Sequence, residues 1–334
     1  MAEMNLAPVK GPATWNPDDF DRDNTWIYHL STTDLIEIEQ AKDYAFQCGL
    51  ARGPLTPHDF PLSMLGPRLH QAMQEIASGR GFVLFRGLPV DQYTLDEMEL
   101  IYCGLSCHMG EVTPQNMKGD LIFHVMDGGY EYGAPNVKAS ETNHEHQPHT
   151  DPAGIVGLLC MRPAHQGGVS MISSAATIFN AIKAERPADL EILCRGFHYD
   201  LRSDGVSASG APVSDRIPVF FWHHGQFSCR FNSIRIKLAA DKTGIPLTRE
   251  EIAAIEFMES VAKRPDVRLR MTFQPGDIQY LNNFAILHSR TAFSDVAEED
   301  RKRLLLRLWL NTPASETMTV FAERLNTEPT SPLI

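Results

Sequence analysis

The apolar residues of this chain lie mostly in short runs separated by turn-forming residues. Runs of about four to eight apolar residues, bounded by glycine, proline, asparagine or aspartate, are typical of buried β-strands. The turn signals include Gly167-Gly168 and Pro275-Gly276-Asp277. The pattern predicts strands at residues 81–85, 155–161, 170–173, 278–281 and 303–310.

Other segments have the wider apolar spacing and the capping residues of helices. Thr32-Thr33-Asp34 precedes an apolar stretch and predicts a capped helix start. Helices are also predicted at residues 63–79, 94–107 and 249–263. Residues 1–25 have no regular pattern, so we expect an irregular arm there.

Length and charge narrow the class of protein. The chain has 334 residues, 43% of them apolar, so it can bury a sizeable core within one domain. Its net charge of −12 argues against a general affinity for nucleic acid or anionic lipid, which requires basic patches. No apolar run approaches the ~18 residues of a membrane span. We therefore expect a small-molecule partner, no nucleic acid and no membrane, and leave open a homo-oligomer.

The first residues and the cysteines indicate the cellular compartment in which the protein is found. Residues 1–20 are polar and contain proline, without the basic and then apolar stretches of a secretory signal. The six cysteines show no C-x-x-C spacing and lie mostly in apolar contexts. Reduced, buried thiols in a cytoplasmic protein are the simpler interpretation.

The most informative motif is His149-Thr150-Asp151, with His288 far downstream. Positions i and i+2 of an extended strand project from the same side of the backbone, so the imidazole and the carboxylate can reach one ion. A third ligand from a distant strand completes two histidines and one carboxylate on one face of a metal. That set leaves the opposite face open, as non-haem Fe(II) oxygenases require.

A motif this short also arises by chance, and the chain contains a rival. His144 and His146 also stand at i and i+2, so they form an alternative metal-binding pair. Only His149-Thr150-Asp151 belongs to the family resemblance described below, and that resemblance favours it over the rival.

Arginines in a leucine-rich run indicate an anionic ligand. Arg303 and Arg307 are four residues apart and share one face of a strand, and Arg301 has the same parity. Charges in apolar surroundings need a partner, and an arginine can bind a carboxylate through two parallel hydrogen bonds. We therefore expect one of these arginines to bind a carboxylate.

The stretch 117–148, directly before the H-x-D motif, is the least regular part of the chain. It contains four glycines and the aromatic residues Tyr130 and Tyr132. A loop this long inside a compact domain is usually functional or disordered. Its position predicts a lid that closes over the substrate.

Six segments carry a resemblance to a known family. They are GFVLFRGL (81–88), HTD (149–151), GGVS (167–170), PGD (275–277), NNFAILHSRTAF (282–293) and RLLLR (303–307). In this order they resemble the taurine dioxygenase / 2,4-dichlorophenoxyacetate dioxygenase (TauD/TfdA) family of Fe(II)- and 2-oxoglutarate-dependent enzymes.

The resemblance implies a mainly β fold with flanking helices around a double-stranded β-helix core, the cupin-like jelly roll, with the metal inside its mouth. It covers roughly residues 80–310. We expect a single domain over 1–334, with an N-terminal arm and helix at 1–60, the jelly-roll core at 80–312, the lid at 117–148 and an outer helix at 249–263.

The resemblance also implies individual roles. His149, Asp151 and His288 match the iron ligands. Arg303 matches the arginine that pairs with the distal carboxylate of 2-oxoglutarate. Ser170 matches a hydroxyl residue that hydrogen-bonds to the same carboxylate, and serine stands where threonine is often found.

The resemblance leaves two points open: the role of Arg307 and the identity of the arginine that binds 2-oxoglutarate. Arg307 matches an arginine near the metal that contacts an anionic substrate in some members. The loop between His288 and Arg303 is longer than in the shorter members, which leaves open whether Arg301, Arg303 or Arg307 binds 2-oxoglutarate. The candidate substrate contacts are Asn116, Tyr130, His146 and Arg307.

The implied reaction converts 2-oxoglutarate and dioxygen to succinate and CO2 while oxidising a substrate C–H bond. Hydroxylation of an aliphatic carbon in a small anionic or amino-acid-like molecule is the expected outcome, with desaturation, cyclisation and epimerisation left open. Two alternatives differ in testable ways. A cupin-type metal hydrolase or isomerase would act without 2-oxoglutarate, and a non-catalytic jelly-roll binding protein would show no iron-dependent turnover.

Overall fold

The apolar runs of the sequence become the strands of two sheets, and most helices lie outside them. The structure, a computed structural model, describes residues 7–50, 53–116, 118–131, 137–201, 212–223 and 225–312. Its strands are β1 (Ile27–His29), β2 (Phe82–Arg86), β3 (Glu111–Thr113), β4 (Ile122–Val125), β5 (His146–His149), β6 (Ile155–Arg162), β7 (Gln166–Gly167), β8 (Ser170–Ser174), β9 (Phe220–His223), β10 (Gln226–Cys229), β11 (Arg268–Met271), β12 (Ile278–Asn282), β13 (Ile286–Arg290), β14 (Phe293–Ser294) and β15 (Leu304–Asn311). Its helices are α1 (Thr32–Gln47), α2 (Leu65–Ser78), α3 (Leu95–Cys107), α4 (Ala175–Glu185), α5 (Pro187–Arg195), α6 (Ser233–Thr243) and α7 (Arg249–Ala262).

The chain passes back and forth between the two sheets. The larger sheet has the order β1-β2-β12-β6-β15-β3, and β4 also pairs with β15. The smaller sheet has the order β11-β8-β13-β5. Successive core strands therefore alternate, with β5, β8 and β13 in one sheet and β6, β12 and β15 in the other. This alternation is that of a double-stranded β-helix and confirms the predicted jelly-roll class.

Alternate side chains of strand β15 point to opposite faces of the larger sheet and pack into two different apolar layers. Leu306 and Leu308 pack into a cluster with helices α1, α2 and α3 on the outside of the larger sheet. Leu305 faces the other way, into the cluster between the sheets. Arg303 and Arg307 share the side of Leu305 and line a cavity there, as their spacing predicted.

The predicted helices are present, and three further helices were not predicted. The expected segments 63–79, 94–107 and 249–263 correspond to α2, α3 and α7, and Thr94 caps α3 by accepting a hydrogen bond from the Glu97 amide. Helices α4, α5 and α7 pack together over a cluster that includes Phe179, Leu190 and Met258. This cluster lies against the smaller sheet through Leu287 of β13.

The turn before β12 is held by a buried ion pair. Asp277 is fully buried, and both of its carboxylate oxygens accept hydrogen bonds from Arg86 of β2, at 2.8 and 2.7 Å. Gly276 has a φ of 81°, and a Cβ there would lie 1.9 Å from the Leu88 carbonyl oxygen. The Pro275-Gly276-Asp277 motif is therefore a structural element that joins two strands of the larger sheet.

The predicted lid segment, 117–148, is less irregular than the sequence suggested. Its described part contains β4, which pairs with β15, and β5, which pairs with β13. Between these strands Tyr130 is exposed, whereas Thr142 is fully buried. Tyr132 and Gly133 lie outside the described residues. The closing movement itself stays a prediction.

Two general expectations can be compared with the structure. No helix in the described ranges is both long enough and apolar enough to cross a bilayer. All six cysteines are free thiols, as predicted, and four of them are buried, whereas Cys48 is exposed and Cys194 is half-buried.

Candidate metal centre

The three predicted metal ligands come together at one end of the smaller sheet. His149 of β5 lies opposite His288 of β13, and their ring centres are 4.2 Å apart. Asp151 follows β5 by two residues, and its Oδ1 lies 3.7 Å from His149 Nε2. One ligand atom from each residue lies within 4.8 Å of the other two. Among the described residues this is the one such group, so the rival pair His144 and His146 does not form a comparable site.

A hydrogen bond to the backbone fixes the orientation of the His149 ring. Its Nδ1 lies 2.8 Å from the carbonyl oxygen of Gln147. A carbonyl can only accept a hydrogen bond, so Nδ1 donates, and Nε2 is the ring nitrogen that faces Asp151 Oδ1. This arrangement, with one ring nitrogen held by a backbone carbonyl, is how proteins commonly orient a metal-binding histidine.

His288 is also in the form that binds metals. The residue is half-buried, and desolvation of its ring, together with the neighbouring His149, lowers the pKa of His288 to about 3. The imidazole is therefore neutral near pH 7, as metal ligation requires.

Asp151 is held by its backbone and by its side chain. Its amide donates a hydrogen bond to Asn283 Oδ1 at 2.9 Å, and Asn283 Nδ2 donates to the carbonyl of Asp151. Its Oδ2 accepts from Arg307 Nη1 at 3.0 Å and from Trp309 Nε1 at 3.3 Å. Burial alone would raise the pKa of Asp151, but the charge of Arg307 and the nearby histidines outweigh it and hold the pKa well below its usual range.

The donor set fits a divalent iron ion. Two imidazoles and one ionised carboxylate converge from one side, and Asp151 Oδ1 is turned towards His149 while Oδ2 is engaged elsewhere. Two histidines and one carboxylate with an open opposite face are characteristic of non-haem Fe(II) sites.

A cavity opens beside two of the three ligands, His149 and His288. Both sheets contribute to its wall. The smaller sheet provides His146, Ser170, Ser289 and Arg290, and the larger sheet provides Val156, Leu158, Arg303, Leu305 and Arg307.

Arg303 presents a buried positive charge to this cavity. Its side chain donates a long hydrogen bond, 3.4 Å, to the Val125 carbonyl and lies over the Phe293 ring. Within the described residues, no carboxylate lies at ion-pair distance from its guanidinium. Burial lowers the pKa of Arg303 to about 10. A buried cation that faces a cavity beside the buried hydroxyl of Ser170 is suited to bind an anion.

The other two candidate arginines are differently placed. Arg301 is two-thirds exposed on a surface turn, where it lies 3.8 Å from Glu298. Arg307 lines the cavity, but its guanidinium is engaged by Asp151 and, through Nε at 2.8 Å, by Gln115. This placement favours Arg303 over Arg301 and Arg307 as the anion-binding residue.

The structure brings two of the four candidate substrate contacts to the cavity. Arg307 and His146 line it, and the His146 ring stacks on His149 with 4.0 Å between ring centres. Asn116 instead donates a hydrogen bond to Asp120 within a surface turn. Tyr130 is 57% exposed and is not among the lining residues.

Arg290 is a lining residue that the sequence analysis did not single out. It is buried, and its Nη2 donates hydrogen bonds to the carbonyl oxygens of Thr142, at 2.9 Å, and His144. Burial, followed by the charge of Arg303, lowers the pKa of Arg290 to about 9. Its position two residues after His288, on the same strand face, is the signal that could have identified it.

Comparisons with known proteins agree with this geometry. The model of the family described as "Taurine catabolism dioxygenase TauD, TfdA family" matches residues 51–309. The chain is 30% identical over 318 residues to FR-33289 synthase of Streptomyces rubellomurinus, covering 93% of this chain and 92% of that protein. It is 27% identical over 308 residues to the taurine hydroxylase-like protein SAT17 of Stachybotrys chartarum, covering 88% and 77%.

A solved structure with a similar fold is that of asparagine oxygenase in complex with Fe(II), 3-hydroxyasparagine and succinate. The two structures share 15% sequence identity, with a TM-score of 0.62 over 85% of this chain and 93% of that chain. At this identity the likeness concerns the fold.

Proposed function

Because the chain belongs to the TauD/TfdA family of dioxygenases, we propose that it hydroxylates an aliphatic C–H bond of a small anionic or amino-acid-like molecule. The chain is an oxidoreductase of the Fe(II)- and 2-oxoglutarate-dependent class. The observation that carries the proposal is the pairing of a complete facial ligand set with a buried, unneutralised arginine across one cavity.

In the proposed metal site, His149, Asp151 and His288 bind Fe(II). When bound, Fe(II) supplies the activation of dioxygen that is coupled to the decarboxylation of 2-oxoglutarate to succinate and CO2. The protein keeps the three ligands on one side, since Asp151 Oδ2 is engaged by Arg307 and His149 Nδ1 by Gln147. The opposite side is left for co-substrate and oxygen.

In the proposed co-substrate site, Arg303 and Ser170 bind the distal carboxylate of 2-oxoglutarate. Arg303 is 4% exposed and Ser170 is 7% exposed, so water competes little for either group. A guanidinium and a hydroxyl that face the same cavity can together donate three hydrogen bonds to a carboxylate. The anion in turn neutralises the charge that burial makes unfavourable.

Further positive charge around the cavity supports an anionic or zwitterionic substrate. Arg290 lines the cavity in addition to Arg303, and Arg307 already neutralises Asp151. The Stachybotrys relative is named for taurine, an amino sulfonate, and asparagine oxygenase was solved with a hydroxylated amino acid. The neutral ring of His146, whose pKa burial and His149 hold well below its usual range, adds a hydrogen-bonding group to the same wall.

The proposal extends to organisation and location. The centre combines residues from Gln115 to Trp309, so we propose that one domain contains the whole site. Six free thiols, most of them buried, support a reducing, cytoplasmic location.

The test is succinate formation with Fe(II), 2-oxoglutarate and a panel of amino acids, sulfonates, phosphonates and carboxylates. Oxygenated product should appear with at least one member, in proportion to succinate. Asp151→Ala should lose both metal and turnover because it removes a ligand, whereas Asp120→Ala, on an exposed turn, should behave as wild type. Full turnover by Asp151→Ala, or conversion of a substrate without 2-oxoglutarate, would contradict the assignment and favour the hydrolase or isomerase.

A further inference from the structure

Thr150, the residue between two of the proposed metal ligands, is fastened to a distant part of the chain. It is 1% exposed. Arg230 Nη1 donates hydrogen bonds to the Thr150 carbonyl oxygen at 2.7 Å and to Thr150 Oγ1 at 3.0 Å. The Phe231 amide also donates to Thr150 Oγ1, at 3.1 Å, and the Thr150 amide donates to the Phe231 carbonyl at 2.7 Å. Each polar group of Thr150 therefore has a partner in this contact.

Arg230 is itself held rigidly. Its amide donates a hydrogen bond to the Val219 carbonyl at 2.8 Å, and its carbonyl accepts one from the Tyr199 hydroxyl at 2.9 Å. Its guanidinium lies 5.5 Å from the centre of the Tyr199 ring. The preceding residue, Cys229, donates from its amide to the Phe284 carbonyl at 2.7 Å. The backbone is therefore held by hydrogen bonds both at Arg230 and at the residue before it.

A buried arginine is an unfavourable choice for a purely structural role. Arg230 is 3% exposed, and in the described parts of the chain no carboxylate forms an ion pair with it. Burial lowers its pKa, and Asp151 is a carboxylate whose charge acts against that effect. Well-packed apolar residues commonly replace buried charges without loss of stability. The charge and donors at this position therefore call for a role beyond filling space.

The geometry points to a positioning role: we propose that Arg230 holds the Thr150 peptide so that His149 and Asp151 face one metal ion. A rotation of this peptide would turn the Asp151 carboxylate away from His149 and away from its hydrogen bond with Arg307. Asn283 and Arg307 hold Asp151 from its other sides, and Arg230 holds the residue before it. The inference rests on the proposed iron site and adds to it a residue from outside the β-core.

The test measures metal affinity and ligand geometry rather than turnover. Wild type, Arg230→Met, Arg230→Lys and Thr150→Val are titrated anaerobically with Mn(II) by calorimetry and with Co(II) by visible absorption. Arg230→Met should weaken Mn(II) binding about 10- to 100-fold, the usual effect of losing an outer-shell partner. Its Co(II) spectrum should also change, because the ligands are no longer held in one arrangement. Arg230→Lys should bind with intermediate affinity, and Thr150→Val should be weakened about as much as Arg230→Lys.

Tyr199→Phe is the matched control. It removes the hydroxyl that holds the Arg230 carbonyl but leaves every hydrogen bond to Thr150 in place. It should bind Mn(II) within about twofold of wild type. A folded Arg230→Met that binds Mn(II) like wild type overturns the inference. If Arg230→Met does not fold, wild-type affinity in both Arg230→Lys and Thr150→Val overturns it. A wild type that binds neither Mn(II) nor Co(II) overturns the proposed function as well, so the two failures are distinguishable.

Discussion

Arg307 donates a hydrogen bond to Oδ2 of Asp151, at 3.0 Å, and so pairs with a residue that is also a proposed metal ligand. Both side chains are nearly buried, at 12% and 11% exposure. The arginine is fixed on its other edge by Gln115, which accepts from its Nε and donates to its carbonyl. Arg307 therefore orients the carboxylate, and contact with a substrate would be an additional task.

Arg307→Met should destabilise the metal-free protein by about 3–5 kcal/mol, because it leaves the Asp151 carboxylate buried without its partner. Urea unfolding of the metal-free proteins measures the difference. Arg301→Met is the control, since Arg301 is exposed and its ion pair is a surface one, so its effect should stay within about 0.5 kcal/mol. Equal effects of the two substitutions would show that the pairing with Asp151 has no energetic consequence.

Arg303→Ala should raise the 2-oxoglutarate concentration required for turnover by two or more orders of magnitude. Loss of a charge-assisted pair in a closed site costs roughly 2–5 kcal/mol. The measurement is the concentration dependence of succinate formation with saturating Fe(II). If Arg303→Ala leaves this dependence unchanged while Arg301→Ala or Arg307→Ala abolishes it, Arg303 is not the co-substrate anchor.

Ser170→Ala should have a smaller effect on the same dependence. It removes one hydrogen bond to the proposed carboxylate, worth about 1 kcal/mol. Ser289→Ala is a suitable control because its hydroxyl also lines the cavity but is hydrogen-bonded to the Met171 carbonyl. An equal loss in both variants would point to a general disturbance of the cavity wall.

Hydrogen exchange should divide the predicted lid into two parts. In the free protein, amides near Tyr130 should exchange quickly because the side chain is exposed there. The amide of buried Thr142 should exchange slowly, because it donates to the Ala139 carbonyl and Arg290 holds the Thr142 carbonyl. With Fe(II), 2-oxoglutarate and the true substrate, protection should rise most within 117–148. Arg290→Met should speed exchange at Thr142 while β6 keeps its protection. A segment that is already rigid and indifferent to productive substrates would exclude a lid.

Asp277→Asn should destabilise the fold by about 3–5 kcal/mol without changing the site. The substitution removes the fully buried charge that pairs with Arg86. The guanidinium then has only a neutral amide as its partner. Urea unfolding gives the free energy, and the 2-oxoglutarate dependence of the folded enzyme should be unchanged. Asp43→Asn, at an exposed carboxylate 3.4 Å from Lys42, should stay within about 0.5 kcal/mol, because Lys42 keeps its closer partner Glu39 at 2.6 Å.

The parts of the site that follow strand parity could be predicted from the sequence. Alternation along a strand depends only on the chain itself, so the shared face of Arg303 and Arg307 and the convergence of His149 with Asp151 were predictable. Even here, parity did not reveal that Arg307 would be occupied by Asp151. That contact joins β15 to the segment after β5 and appears only in the folded protein.

Other features depended on contacts that the sequence does not contain. Asn116 and Tyr130 lie in irregular segments, where no periodicity indicates which way a side chain points, and neither lines the cavity. Helix α4 follows β8 without a break, with Ser174 as both the last strand residue and the N-cap, so its apolar residues were not recognised as the start of a helix. Thr150 and Tyr199, which contact Arg230, lie far from it in the sequence and become its neighbours only in the folded protein.

The division of the site between two sheets has a consequence during biosynthesis. His149 and His288 become neighbours only when β5 and β13 pair, and Arg307 lies on β15 of the other sheet. Contacts between residues so far apart along the chain form late in folding. A half-folded chain thus contains no complete site for iron, co-substrate or oxygen. Oxidative chemistry that could damage its own side chains begins only once the molecule is finished.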